Sequence, residues 1–70
     1  MLSQEEREAK VRRLIALYGE VRAGANRGES WGSLVRVAAS TLRSMARRGL
    51  LSERTDSDGV AWYAAPTEPK

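Results

Sequence analysis

The 70-residue chain contains no cysteine and no histidine. The first absence rules out disulfides and thiol chemistry, and the two together remove the usual zinc ligands. Without histidine, no serine or threonine has the ordinary base that would activate it as a nucleophile. No apolar run approaches the roughly 18 residues that a membrane-spanning helix needs, so no membrane partner is expected. The opening Met-Leu-Ser-Gln-Glu-Glu is acidic, unlike the basic start of a secretory signal. A cytoplasmic location is therefore the expectation. A chain this short can hardly enclose a catalytic pocket, so neither an enzyme nor a bound cofactor is expected. Asp56 and Asp58 do not make a calcium loop, because Val60 stands where a third ligand belongs and Thr67 where the bidentate glutamate belongs. No metal is expected.

What remains is one small, unevenly charged domain. A chain of this size buries only about 60% of its unfolded surface, so its stability rests on few apolar residues. The net charge is +3. Glu5, Glu6 and Glu8 face only Arg7 near the start, whereas Arg36, Arg43, Arg47, Arg48 and Arg54 face only Glu53 further on. A localised basic surface points to a polyanionic partner, most often nucleic acid.

The first helix has a clear start. Ser3 is a good N-cap and Glu6 completes a capping box. Val11, Leu14, Ile15, Tyr18 and Val21 recur at helical spacing as one apolar stripe. The pattern predicts a helix over about residues 4–22, with Gly24 as its terminator and Gly19 only a weak point. Lys10, Arg13 and Arg22 fall off the core side. Residues 23–30, with two glycines and no apolar pattern, read as a loop.

The stretch from Trp31 to Leu51 is the most informative. Trp31, Leu34, Val35 and Ala38 repeat at helical spacing, and the phase runs on through Leu42 and Met45. Two arrangements fit. One has a short second helix over about 31–36, capped by Ser30 and anchored in the core by Trp31, then a turn and a third helix over about 40–48. The other is a single helix from Leu34 to Arg48 with Ser33 as its cap. In either, Leu42 and Met45 share the apolar face with Ala38. Ser40, Arg43, Ser44 and Arg47 occupy the opposite face. Gly49 suits the position just past the helix end, and Leu50 and Leu51 return the chain to the core.

The last segment, about residues 50–64, reads as a hairpin. Asp58-Gly59 is a strong turn signal. Val60-Ala61-Trp62-Tyr63-Ala64 has strand composition, with Trp62 and Tyr63 on opposite faces. The only prolines, Pro66 and Pro69, end it, and residues 67–70 are expected to be a frayed tail.

The run Thr41-Leu42-Arg43, Met45, Arg47-Arg48-Gly49-Leu50-Leu51, followed by a turn and Trp62-Tyr63, resembles the recognition helix and wing of winged helix-turn-helix domains. The resemblance covers about residues 31–65. It implies a mostly α fold with a C-terminal β-hairpin, three helices plus a wing, forming a single domain over residues 1–66. It also implies that Leu42 and Met45 are buried and that Arg43, Ser44 and Arg47 face a DNA groove. It favours the two-helix arrangement of residues 31–48. The wing tip departs from a DNA-reading wing, because Asp56 and Asp58 would be repelled by phosphate.

On this likeness the leading expectation is a small transcription regulator of prokaryotic or phage type that binds double-stranded DNA through its third helix. Arg43 and Arg47 would read guanine edges, with hydrogen bonds from Ser40 and Ser44. Arg36, Arg48 and Arg54 would hold the phosphate backbone. A homodimer on paired half-sites fits such a reader, with the exposed side of the first helix or the Trp62 strand as the joining surface. Two alternatives stand beside it. One is a protein-interaction module whose basic face meets an acidic protein partner within a larger complex. The other is architectural nucleic-acid binding without sequence preference.

Overall fold

The computed structural model describes residues 3–66. Helix α1 spans Gln4–Tyr18 and begins with the capping box the sequence announces. The Ser3 hydroxyl accepts from the Glu6 amide at 3.2 Å, and the Glu6 carboxylate accepts from the Ser3 amide at 2.9 Å. Val11 and Leu14 are buried, with Ile15 packed beside them. The helix does not reach residue 22. It stops at Gly19, where φ is +90° and the amide donates to the Ile15 carbonyl at 2.7 Å. Val21 is buried, but from strand β1 (Glu20–Arg22). A strand beginning at residue 20 turns Val21 inward just as an extended helical phase would. Tyr18, expected in the core, is exposed.

Beyond β1 the fold departs most from the three-helix expectation. Strands β2 (Gly24–Arg27) and β3 (Leu34–Val37) form an antiparallel hairpin where a loop and a second helix are predicted. Gly24 therefore opens a strand and terminates no helix. Leu34 and Val35 belong to the helical stripe, whereas Val35-Arg36-Val37 alternates as a strand does. Alternation wins: Val37 is buried and Val35 half-buried, while Leu34 and Arg36 point outward. Two β-branched residues on the inner face suit a strand. Trp31 does not anchor a core, since it is fully exposed at the hairpin tip, and Ser30 caps no helix.

Helix α2 (Ala39–Arg47) follows β3 after one residue. Neither the single helix from Leu34 nor a helix-turn-helix is present. Its N-cap is Ala38, in an extended conformation with no side-chain capping bond, so Ser40 lies within the first turn. Leu42 and Met45 are each 0% exposed, whereas Ala38 is exposed. At the other end, the Leu50 amide donates to Met45 O at 2.9 Å and the Gly49 amide to Ala46 O at 3.0 Å. These two bonds are the Schellman pattern, which needs a left-handed residue where Gly49 has φ +82°. Leu51 enters the core and Leu50 stays exposed.

Strands β4 (Ser52–Thr55) and β5 (Ala61–Ala64) form the expected C-terminal hairpin. Strand β5 also pairs with β1, giving a three-stranded antiparallel sheet of order β1-β5-β4. The molecule is thus an α+β arrangement of two helices and five strands in two sheets among the described residues, in place of three helices and a wing. Val21, Tyr63, Val11, Leu14, Val37, Leu42, Met45 and Leu51 form one core that joins sheet, hairpin and helices. No helix among the described residues is long and apolar enough to cross a membrane. The expected tail at residues 67–70 lies outside the described residues.

Two stability predictions follow from this packing. Leu42→Ala removes buried methyl groups from the centre of the core and should cost about 2–5 kcal/mol. A chemical denaturation curve superimposable on the parent's would contradict that placement. Gly59 has φ +83°, with open space around the position a Cβ would take. Gly59→Val therefore meets backbone strain alone and should cost roughly 1–3 kcal/mol. An unchanged midpoint would show that the turn relaxes without loss.

Candidate nucleic-acid interface

Helix α2 is amphipathic because its apolar residues sit at 42, 45 and 46, within one arc of the helical wheel. Burying that arc leaves Ser40, Arg43 and Arg47 exposed on the other side. Arg43 and Arg47 are one turn apart and point the same way. Ser44 is half-buried and, with Ser40 and Thr41, lines a cleft against Gln4, Arg7 and Glu8 of α1. Of the expected groove-facing residues, then, Arg43 and Arg47 share the outward face, Ser40 is exposed while also lining that cleft, and Ser44 turns toward α1. Arg43 lies on the side nearer the sheet. Its charge works against the upward shift that burial, and then a hydrogen bond to Glu53, give the Tyr63 phenol.

The expected phosphate contacts divide more sharply. Arg48 forms an ion pair with Glu8 of α1. Glu8 is a largely buried carboxylate that also accepts from Gln4 Nε2 at 2.9 Å. These two donors, Gln4 first and then Arg48, hold the Glu8 carboxyl below its ordinary range against the opposing effect of burial. Arg54 grips Glu20 through two bonds, at 3.1 and 2.6 Å. Both arginines thus fasten one part of the fold to another, which removes them from the set of unengaged cations. Arg36 differs. It is exposed on the outer face of β3, just ahead of α2, and like Arg43 and Arg47 it forms no ion pair among the described residues.

Arg36 lines a cleft of about 450 Å³ with Arg7, Lys10, Gly24, Val37, Ala38 and Thr41. Lys10 Nζ donates to the Arg36 carbonyl at 3.4 Å across its mouth. The charge pattern does not single out Arg7, which sits among Glu5, Glu6 and Glu8. Its spacing of three from Lys10, which puts both on one side of α1, is the signal that finds it. The other basic residues of α1 and β1 lie elsewhere. Arg13 pairs with Glu29, and Arg22 stacks on Trp62 at 5.5 Å.

The second hairpin is organised by one carboxylate. Asp56 Oδ1 accepts from the Asp58 and Val60 amides, each at 2.9 Å, and Oδ2 accepts from Trp62 Nε1 at 2.9 Å. These bonds, Trp62's foremost, keep the Asp56 carboxyl below its ordinary range. Trp62 itself lies on the sheet's outer face between Arg22 and Arg54. It is neither a core residue nor an open platform. Because β5 is the central strand, the Trp62 strand also offers no free edge for a second copy to pair with. Among the described residues no group of three acidic, histidine or cysteine side chains is placed to hold a metal ion.

The Glu8–Arg48 pair makes a pH prediction. A carboxyl whose folded-state pKa is depressed contributes stability that is complete above its unfolded value, near 4.5 for Glu8. That contribution is lost as pH falls through the lowered folded value. Glu8→Gln should therefore lower the melting temperature at neutral pH. It should also make the further fall between about pH 5 and pH 3 shallower than the parent's. Melting profiles of parent and variant that run parallel across that range would show that the pair does not contribute.

No protein-family model, curated protein or solved structure matches this chain.

Proposed function

We propose that this protein binds double-stranded DNA, laying the outward face of α2 in the major groove, and acts as a small transcription regulator. The observation that carries the reading is the fate of the arginines. Arg13, Arg48 and Arg54 are neutralised by Glu29, Glu8 and Glu20. Arg43 and Arg47 are left side by side on an exposed helix face, beside Ser40 and without an acidic partner among the described residues. Two guanidiniums at that spacing suit the paired acceptors of guanine in the major groove. The reading does not rest on a winged-helix fold, which the two helices and five strands replace; α1 and the β2–β3 hairpin back α2 instead. Arg36, Lys10 and Arg7 at the adjacent cleft suit phosphate contact and so set the register of α2 on the duplex. Asp58 of the β4–β5 turn is exposed and repels phosphate, so this reading gives the turn no part in the contact.

The test is a contrast between neighbouring arginines, measured by fluorescence anisotropy with a duplex selected from a random pool and with an unselected duplex. Arg43→Ala and Arg47→Ala should each weaken the selected duplex by about 1–3 kcal/mol and the unselected one less. Arg36→Ala should weaken both about equally and reduce the salt slope by about 0.9. Equal, sequence-independent losses for all three would reduce α2 to a general basic surface. If no substitution changed DNA affinity, an acidic protein partner would become the better reading of this face.

A further inference from the structure

The β2–β3 hairpin carries the largest unexplained feature of the surface. Trp31 at its tip is 101% exposed and Leu34 beside it is 72% exposed. A tryptophan side chain offers some 200 Å² or more of mostly apolar surface. Folding gains nothing from it here, although the core among the described residues has just eight buried apolar side chains. The tip is nevertheless held in shape. The Gly28 amide donates to Ser33 O at 3.0 Å and the Ser33 amide to Ser30 O at 2.9 Å. The Tyr18 hydroxyl donates to Gly28 O at 2.5 Å, and Arg13 of α1 pairs with Glu29. The tryptophan is thus displayed from a turn braced against α1 at two points.

The surroundings indicate what it meets. Arg27 pairs with Leu34 in the hairpin register, and Arg36 lies two residues further along the same outward face. Arg27 also stacks over Tyr18 at 5.7 Å. Glu29, the one acidic residue of the tip, is neutralised by Arg13. An exposed aromatic with Arg27 beside it in the same cleft, and with its nearby negative charge cancelled, complements a partner that is anionic and presents flat π-faces. Duplex DNA has the first property throughout and the second wherever a base step is unstacked. The four paired positions from Gly24↔Val37 to Arg27↔Leu34, at about 3.3 Å per residue, carry the tip on the order of 15 Å from the start of α2. Neighbouring grooves of B-DNA lie about half of a 34 Å turn apart. A helix in the major groove and an arm reaching the adjoining minor groove therefore match in scale.

We infer that the β2–β3 hairpin is a second DNA contact, in which Trp31 inserts at a base step of the flanking minor groove and stacks on a base. This rests on the reading that α2 binds duplex DNA, and it adds a contact that reads deformability. Insertion unstacks one step, so easily kinked pyrimidine–purine steps would be preferred beside the site that α2 reads.

The experiment uses the full chain with Trp31→Ala and Trp31→Phe, and Arg43→Ala as the control for α2. Trp31→Ala should bind the selected duplex roughly 5- to 100-fold more weakly, the range expected for one lost stacking contact. Trp31→Phe, which keeps a ring, should recover most of that loss. Both variants should melt like the parent. Tryptophan fluorescence of the parent should be quenched on adding DNA, and that quenching should be largely absent in Trp31→Ala. Unchanged affinity in Trp31→Ala, while Arg43→Ala still weakens binding, would overturn the arm contact and leave the α2 reading standing. Loss of self-association in sedimentation, with DNA affinity unchanged, would overturn it in favour of a contact between copies. Equal losses for alanine and phenylalanine, or an early melt of either, would also overturn it. A parent that binds no duplex at low salt would overturn both readings.

Discussion

Helix α2 has one apolar side, and the complete burial of Leu42 and Met45 is the constraint on which the rest of the molecule depends. The nine-residue helix is too short to be stable in isolation. It exists because those two side chains complete a core with Val11 and Leu14 of α1, Val37 of β3, Leu51, and the cross-strand pair Val21 and Tyr63. Once its inner face is committed, the outward direction of Arg43 and Arg47 follows from helical geometry alone. The candidate reading face is thus the reverse side of the core, and its orientation is as firm as the packing behind it.

Charge is sorted by the same scaffold. Glu8 and Glu20 are held close to the packed interior, one in α1 and one at the start of β1. Each captures an arginine from a distant part of the chain, Arg48 and Arg54 respectively. Such pairs at a partly exposed surface add little stability each. Their consequence for function is selective: they withdraw two cations from the basic segment and leave Arg36, Arg43 and Arg47 as its unpaired charges among the described residues. The surface that remains is smaller than the charge count of residues 36–54 implies, and more directional.

The aromatics are distributed against their hydrophobicity. Tyr63, with a polar handle that reaches Glu53, is buried, and Trp62 is tied to Asp56 and two arginines on the sheet's outer face. Trp31 contributes nothing to the interior. The register Val21↔Tyr63 puts Tyr63 on the buried face of the sheet. Alternation then sends Trp62 outward, to where Arg22 and Arg54 flank it.

Features decided within a few residues of one another were readable from the sequence. They include the Ser3–Glu6 box, the Schellman end at Gly49, the Asp58-Gly59 turn, the amphipathic phase of Leu42 and Met45, and from it the outward arginines. Each rests on local geometry that tertiary contacts did not alter. The segment from Gly19 to Val37 was decided otherwise. Val21 and Val35 fit both a helical and a strand period over so short a span, so local pattern leaves two solutions of similar merit. Pairing chose between them: β5 offered Val21 a partner in Tyr63, and β2 offered β3 four. Trp31 was displaced to the surface by that choice, and Ser44 was turned toward α1 by the packing of the two helices. Likewise the capture of Arg48 by Glu8 and of Arg54 by Glu20 joins residues 40 and 34 positions apart. No local rule links such residues, because only the folded chain brings them within reach of one another.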